Sequence, residues 1–260
     1  MLTDGESVVR TGIDAAALKP KECDVRDGGD LPFGTVTIDY EGRDHLPDRD
    51  VLAALAERTN VLVTTPVRAD GFDPLGDDAL DARLPEGVGR VLVAGHPAYL
   101  TEAERTRAVA PRLRAAVERV PDAWVGTEGI ERLALATGAT QFELLARHTG
   151  RDLTALRAAG FEGEIAVYAP TVLTDDEDEV LDAVGAYVAR RKPVARALPE
   201  GAPTDRTATG RAREVLLAAS TDFALVGTRE TVTERVAALK QAGADTVVGY
   251  PARGVHEFHH

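Results

Sequence analysis

Short apolar runs alternate along the chain with longer stretches in which apolar positions recur every three or four residues. Several short runs are apolar throughout, as in Val61-Leu62-Val63 and Ile165-Ala166-Val167. Strands that are covered on both faces of a parallel sheet have this continuous apolar character. The pattern predicts eight strands, namely Ser7–Ile13, Thr35–Tyr40, Asn60–Thr65, Arg90–Gly95, Ala123–Gly126, Thr140–Arg147, Glu164–Ala169 and Asp245–Gly249.

The stretches between these runs predict helices with recognisable start and stop signals. Thr101 with Glu104, and Thr174 with Glu177, form capping-box patterns. Gly160 follows one helical stretch at a position typical of a helix end, and so does Gly243. The predicted helices are Asp48–Arg58, Glu102–Val120, Arg151–Ala159, Asp175–Arg191, Thr209–Ala219 and Thr228–Ala242.

Alternation of eight strands with helices predicts a (β/α)8 TIM barrel that forms a single domain over residues 1–260. The competing fold, an open doubly wound sheet, would carry a G-x-G-x-x-G turn after its first strand, and Gly12–Ala17 lacks this pattern. Long loops are predicted after the third and seventh strands, at Pro66–Pro85 and at residues 192–209, the second as an exposed loop. Residues 254–260 are expected to form a flexible tail.

The chain is acidic, with 43 Asp and Glu against 30 Lys and Arg, and lysine occurs at only four positions. An acidic, lysine-poor surface is typical of a halophilic protein, because salt screens the repulsion between its carboxylates. An ordinary acidic protein from a GC-rich genome is the other interpretation. Under either one, nonspecific binding to nucleic acid or to an anionic membrane is disfavoured.

Localisation and metal content are also limited by the sequence. No run of about 18 apolar residues occurs, which argues against a membrane span, and Met1–Glu6 lacks the pattern of a signal peptide. A cytoplasmic protein is therefore expected. Cys23 is the single cysteine, which excludes an internal disulfide and a thiolate metal cluster. Because no H-E-x-x-H or similar spacing is present, no metal site is predicted.

Barrel enzymes place their catalytic groups at the carboxyl ends of the strands, and four residues there are candidate acids or bases. Asp39 and Glu41 share one face of the second strand and could share a proton or bind a metal, although two acids in an acidic chain are weak evidence. His96 suits proton transfer, or else it caps the next helix. Glu128 is either a general acid or a favourable first-turn acid.

Further strand-end residues are candidates for ligand binding. Arg147 and His148 stand beside Thr149 at a helix start, where donors suit a phosphate or carboxylate, although a solvated strand end has the same composition. Thr228 after Gly227 is the N-cap of a helix, whether or not a phosphate binds there. The full set of candidate cofactor-binding residues is Thr64, Thr65, Arg147, His148, Tyr168, Gly227 and Thr228.

The segment Phe223–Gly249 contains an apolar stretch ending in Gly227-Thr228, a helix, and a Gly243-Ala-Asp turn before a last strand. This ending resembles that of the luciferase-like monooxygenases and of their relative, methylenetetrahydromethanopterin reductase, and Ile165–Arg191 resembles the corresponding part of those reductases. The resemblance implies an oxidoreductase that uses FMN or coenzyme F420, and it hints at a homodimer. A narrower implication is a reductase acting on a one-carbon pterin or folate carrier.

Two features depart from that family, and they leave other functions open. The chain is shorter than most members, and Gly12–Pro20 carries no family signature for the flavin ring. A phosphate-binding lyase or isomerase that uses Lys19 or Glu128 is one alternative. A catalytically silent barrel serving as an oligomeric or regulatory partner is another, since aromatic residues make up only 5% of the chain.

Overall fold

The computed structural model describes residues 11–68, 80, 83–95, 100 and 102–258. All strand pairings among them are parallel and belong to one sheet. The strands are β1 (Ala15–Leu18), β2 (Thr35–Ile38), β3 (Asn60–Pro66), β4 (Gly89–Val93), β5 (Trp124–Gly126), β6 (Gln141–Leu144), β7 (Ile165–Val172), β8 (Leu225–Val226) and β9 (Thr246–Pro251).

Eight of these strands close into a barrel, which confirms the predicted TIM-barrel fold. Neighbours along the chain pair from β1 to β7, then β7 pairs with β9, and β9 returns to β1 through Ala15 opposite Val248. The two-residue strand β8 lies outside the ring and extends it beside the last residues of β7, with Thr171 opposite Leu225. The sequence pattern did not predict β8, because two residues are too few to show a period.

The first strand was predicted in the wrong place. β1 is Ala15–Leu18, whereas the prediction was Ser7–Ile13; residues 7–10 lie outside the described part, and Gly12 is in a turn with φ +80°. The prediction rested on the apolar, β-branched residues Val8 and Val9, whereas the real strand, which is buried on both faces, consists of three alanines and a leucine. Alanine is depleted in strands, so propensity favoured the wrong segment.

Nine helices are described: α1 (Arg49–Ala56), α2 (Glu102–Arg105), α3 (Val109–Arg119), α4 (Glu131–Ala136), α5 (Thr149–Ala158), α6 (Glu177–Ala189), α7 (Lys192–Ala197), α8 (Gly210–Phe223) and α9 (Arg229–Ala242). The single helix predicted over Glu102–Val120 is two helices, α2 and α3, and Thr101 lies outside the described residues. In α6 the N-cap is Asp176, whose carboxylate accepts from two backbone amides, and not the predicted Thr174. None of the described helices combines the length and apolarity needed to cross a membrane.

The connection between β7 and α9 is an insertion, residues 173–224, that carries α6, α7 and α8. Part of it was expected to be an exposed loop at residues 192–209, but Lys192–Ala197 is helical, and Val194 and Ala208 are buried in an apolar cluster with α6 and α8. Position 185 of α6 requires glycine, because a Cβ there would lie 2.0 Å from the backbone oxygen of Thr204. The insertion is therefore a packed unit.

The chain end is also packed, contrary to the predicted tail at residues 254–260. Val255–Phe258 forms a short 3-10 helix, and Phe258 is fully buried against the edge of the Phe33 ring, with centroids 5.8 Å apart. A Cβ on Gly249 of β9 would come within 3.0 Å of the Phe258 ring, so this glycine admits the aromatic side chain. The last two residues lie outside the described part.

Period-two alternation divides the strand residues between two apolar clusters. One set, including Val36, Val61 and Val167, packs against the surrounding helices. The other set fills the barrel interior, with small residues on β1 and large ones opposite: Ala15, Ala17, Leu62, Val91, Trp124, Phe142, Ala166, Tyr168, Val248 and Tyr250. The interior is thus a packed core, and polar chemistry is confined to the ends of the barrel.

Candidate functional site

The carboxyl end of the barrel, called the mouth below, receives polar side chains that continue the inward-facing series of the strands. Lys19 follows Ala15 and Ala17 at the same spacing, and Asp39 follows Thr37. Tyr168 of β7 and Tyr250 of β9 are inward-facing and buried, with 4% and 6% of their surfaces exposed. The alternation along the strands therefore brings a lysine, a carboxylate and two phenols together at the mouth.

Asp39 is the group in the mouth with the most altered chemistry. The pKa of its carboxyl is raised to about 6, chiefly by burial; the charge of Lys19 lowers the pKa, and Glu41 and Glu22 raise it. The hydroxyl of Tyr168 is hydrogen-bonded to this carboxylate, which also lowers the pKa. A carboxyl with such a pKa exchanges its proton close to neutral pH, as general acid–base catalysis requires.

The two mouth tyrosines form a stacked pair, with ring planes 8° apart and centroids separated by 6.4 Å. The Tyr168 hydroxyl is hydrogen-bonded to Asp39, and the Tyr250 hydroxyl donates a short hydrogen bond to Glu22. The ammonium of Lys19 lies 3.6 Å from the centroid of the Tyr250 ring and 3.6 Å from the Glu22 carboxylate. The lysine is thus held in place by an aromatic face and a carboxylate together.

The insertion supplies a further wall of the mouth. Arg191, directly before α7, donates to the Tyr187 hydroxyl in a short hydrogen bond. Its guanidinium lies 4.5 Å from the Tyr187 ring centroid and 5.7 Å from that of Phe223. It also bonds Glu128, after β5, at 3.3 Å. Burial raises the pKa of Tyr187, Arg191 lowers it, and both Glu128 and Asp39 raise it. Tyr187 therefore lies within the electrostatic reach of Asp39.

Of the predicted catalytic residues, the structure brings Asp39, Glu41 and Glu128 to the mouth, and His96 lies outside the described residues. Glu41 accepts a hydrogen bond from the backbone amide of Lys21 at 2.8 Å, so its carboxylate is engaged in fixing the loop after β1. Within the described ranges, no group of three His, Cys, Asp or Glu side chains could hold a metal ion.

The predicted threonine pair on β3 is split between the two sides of the barrel wall. Thr64 faces inward, and its Oγ1 accepts a 2.6 Å hydrogen bond from the amide of Tyr40, next to Asp39. Thr65 shares the parity of Val61 and Val63, which pack against the outer helices, and it donates to the Val63 carbonyl. Thr65 thus faces away from the mouth, as alternation along a strand requires.

Arg147 and His148 lie outside the barrel ring. Arg147 and Gly150 line a groove of about 230 Å3 between the start of α5 and the helix α9, together with Asp222 and Arg235. His148 pairs with Asp152 at 3.1 Å on its own helix. The Thr149 hydroxyl donates to Glu143 and accepts from the amide of Ala146. This groove is separate from the mouth residues described above.

Gly227 and Thr228 have the structural role expected of them. Thr228 caps α9 by accepting a hydrogen bond from the Thr231 amide, which confirms the predicted N-cap. Gly227 has φ +130°, and a Cβ there would come within 2.9 Å of the Thr231 side chain. Both positions serve the turn that connects β8 to α9.

Three mouth residues, Glu22, Tyr187 and Arg191, were not predicted from the sequence, and Lys19 was named only for the alternative lyase or isomerase. Lys19 carried a usable signal, because it continues the inward alternation of Ala15 and Ala17 once β1 is placed correctly. Tyr187 lies in the last turn of α6, and Arg191 lies two residues beyond the end of that helix. The position of both residues over the mouth depends on how the insertion packs, which has no local sequence signal.

Comparison with known proteins gives the chain a family and a fold relative. A model described as a family of unknown function, DUF7388, matches residues 8–258. The chain belongs to this family. No curated protein sequence matches this DUF7388 member.

A solved structure similar to the DUF7388 chain is described as an F420-dependent secondary alcohol dehydrogenase in complex with an F420-acetone adduct. The match has a TM-score of 0.61, covers 92% of this chain and 93% of that one, and has 14% sequence identity. At this identity the likeness establishes a shared barrel fold along nearly the whole length.

Proposed function

We propose that this protein is an oxidoreductase of the luciferase-like kind that binds coenzyme F420 or FMN at the mouth of its barrel. The observation that carries the proposal is Asp39, a carboxyl with a pKa of about 6 hydrogen-bonded to Tyr168 at the end where barrel enzymes react. The structural likeness to an F420-dependent dehydrogenase over 92% of the chain supports the choice of cofactor.

The end of β5 is where the described residues would accept a planar cofactor ring. Gly126 is the inward-facing residue at the end of β5, and a Cβ there would lie 3.6 Å from Val93 and 3.5 Å from the Leu92 carbonyl. Gly126 therefore places no side chain at the inward-facing position that follows Trp124, next to the interior cluster that contains Val93 and Leu144. These residues would hold the ring, and Tyr168 would border it.

The bound cofactor would supply hydride transfer, which no amino-acid side chain provides. The chain's own part is proton transfer and exclusion of water. Asp39 gives a proton to a substrate oxygen, or takes one from it, and the Tyr168 hydroxyl steadies the carboxylate that results. Tyr187, on the insertion, is within electrostatic reach of Asp39 and would help to exclude water from it.

Titration with F420 and with FMN tests the proposal through the absorbance and fluorescence of each cofactor. We expect saturable binding in the micromolar range, and a loss of about tenfold or more in Gly126→Leu, which fills the space beside Val93. Gly34→Ala is the matched control, since a Cβ at this glycine meets nothing within 4 Å. Absence of binding to either cofactor at every salt concentration would refute the proposal.

A phosphate-binding lyase or isomerase is a second candidate, because Lys19 does reach the mouth. Such an enzyme binds a sugar phosphate and needs no redox cofactor. Thermal stabilisation by a sugar phosphate, in a protein that fails to bind F420 and FMN, would favour this function.

A further inference from the structure

Two cations in the mouth make longer ion pairs than two other partly buried arginines of the protein. Arg191 lies 3.3 Å from Glu128 and Lys19 lies 3.6 Å from Glu22, with the two cationic side chains 16% and 15% exposed. By contrast, Arg157 and Asp245 approach to 2.5 Å, and Arg68 and Glu104 to 2.9 Å. Strong charge-assisted hydrogen bonds span about 2.7–2.9 Å. The ion pairs of the mouth are longer than this, so both cations can still form a strong hydrogen bond with an anionic ligand.

Arg191 has an unused donor. Its Nε is buried and has no hydrogen-bond partner among the described residues, while its other two nitrogens serve Glu128 and Tyr187. Leaving such a donor unsatisfied costs about 1–3 kcal/mol. The rings of Tyr187 and Phe223 hold the guanidinium in place, so the donor is fixed before any ligand arrives.

The positions of the two cations relative to Asp39 suggest what they bind. Lys19 acts electrostatically on Asp39 from the β1 side, and Tyr187, which is bonded to Arg191, is within reach of Asp39 from the insertion. A ligand that receives a proton from Asp39 would thus have cations close to its reacting oxygen. In a chain of net charge −13, cations so placed are unlike the general surface.

We propose that Arg191, assisted by Lys19, binds the carboxylate of the substrate, which is a small 2-oxo acid or the corresponding 2-hydroxy acid. This inference rests on the proposed function for the redox step, but the binding of the carboxylate does not. In reduction, the carbonyl carbon gains a hydride from the reduced cofactor, the carbonyl oxygen gains the proton of Asp39, and the cofactor is left oxidised.

A carboxylate suits this mouth better than a phosphate. The guanidinium of arginine matches a planar carboxylate with parallel N–H donors. Three carboxyl groups, those of Glu22, Asp39 and Glu128, already surround the two cations. A dianionic phosphate would meet more repulsion there than a monoanion, and a monoanion can take the place of Glu128, whose side chain is 40% exposed.

Pyruvate and acetone form a matched pair of probes, since they differ by a carboxylate in place of a methyl group. Binding is measured without cofactor, at constant ionic strength, by thermal shift and by the fluorescence of Trp124, the single tryptophan, whose ring is 6.0 Å from Phe142 in the barrel interior. We expect a saturable response to pyruvate and none to acetone at equal concentration. An equal response to both would overturn the proposal.

Substitutions test whether Arg191 binds the carboxylate. Arg191→Gln should weaken pyruvate binding by about tenfold or more, Arg191→Lys should weaken it less, and the surface control Arg211→Gln should not change it. Glu128→Gln should strengthen binding by removing the competing carboxylate, so the proposal stays testable if Arg191→Gln fails to fold. Unchanged affinity in Glu128→Gln and Arg191→Lys, or tighter binding of inorganic phosphate than of pyruvate, would overturn it.

The two proposals fail separately. Pyruvate binding that depends on Arg191, in a protein that takes up neither F420 nor FMN, would uphold the carboxylate site and refute the oxidoreductase. Cofactor binding without any response to pyruvate would do the reverse.

Discussion

Both ends of the barrel carry aspartates with cationic neighbours, and the two ends use them differently. At the amino end, Asp14 accepts from the Val247 amide at 2.8 Å and from Lys240 at 2.7 Å, and Asp245 accepts from the Ile165 amide at 2.8 Å and from Arg157. Each carboxylate there joins neighbouring strands. At the mouth, Asp39 faces a phenol, a lysine and two glutamates, and its pKa is raised.

This difference between the two ends shows which aspartates stabilise the fold and which one destabilises it. A carboxylate that accepts a backbone amide and a cation stabilises the closed barrel. A half-buried carboxyl surrounded by other acids destabilises the folded state once it is ionised, and such costs are typical of functional sites. The amino end thus maintains the barrel, and the mouth holds the candidate chemistry, as in barrel enzymes generally.

Substitution at the mouth should have the largest effect on activity. Asp39→Asn keeps the size of the side chain but removes the exchangeable proton, so we expect cofactor-dependent turnover to fall by about 10²–10⁴-fold with cofactor affinity nearly unchanged. Steady-state kinetics and a cofactor titration measure the two quantities. Asp14→Asn, at the amino end, is the control and should retain turnover while it remains folded. Full activity in Asp39→Asn would show that the mouth carboxyl is not the acid.

The insertion that walls the mouth should depend strongly on one glycine. In Gly185→Ala, the added Cβ would lie 2.0 Å from the Thr204 carbonyl, so α6 must move away from that backbone. We expect a loss of about 3 kcal/mol in the free energy of unfolding, measured by denaturant titration. Gly150→Ala is the control, because its Cβ meets nothing within 4 Å. Equal stability of the two variants would show that the insertion is loosely packed.

The barrel was predictable from sequence because the pattern of an apolar strand followed by a helix recurs along the chain. Seven of the eight barrel strands coincide with predicted apolar runs, and only β1 was misplaced, since its alanine-rich sequence has a low strand propensity. The candidate site was predictable in part. Asp39, Glu128 and Tyr168 follow from the rule that catalytic groups lie at strand ends.

The remaining mouth residues depend on contacts between segments far apart in the chain. Glu128 meets Arg191 across 63 residues, and Tyr250 meets Glu22 across 228 residues. Such pairs are set by barrel closure and by the packing of the insertion, and periodicity within a window of about 18 residues carries no information about them.

At the amino end, substitution should reduce stability and leave the mouth intact. Asp245→Ala removes the acceptor of the Ile165 amide and of Arg157, and we expect a loss of about 2 kcal/mol in the free energy of unfolding. Asp245→Asn keeps one oxygen for the amide and should lose less. Pyruvate and cofactor affinities should match those of the unchanged protein at a temperature where both are folded. A selective loss of binding would contradict the division between the two ends.

The smallest effect, and the most direct measure of the comparison, is the pH dependence of stability contributed by Asp39. Its folded-state pKa of about 6 exceeds the ordinary value of 3.8, so between these values the folded state binds more protons than the unfolded state. Stability therefore falls as pH rises through this window, and above it the penalty is constant. Asp39→Asn has no carboxyl to titrate at this position. The free energy of unfolding of the variant, relative to that of the unchanged protein, should therefore increase between pH 4.5 and 7, by about 1–2 kcal/mol after allowance for solvent screening.

Denaturant unfolding of the two proteins across that pH range measures the difference, in which the contributions of all other groups cancel. Asp14→Asn serves as the amino-end counterpart and should show no such gain, because Asp14 accepts from Lys240 and the Val247 amide, and amidation weakens these contacts. A difference between Asp39→Asn and the unchanged protein that stays constant from pH 4.5 to 8 would mean that the mouth carboxyl bears no penalty. The two ends of the barrel would then differ in geometry alone.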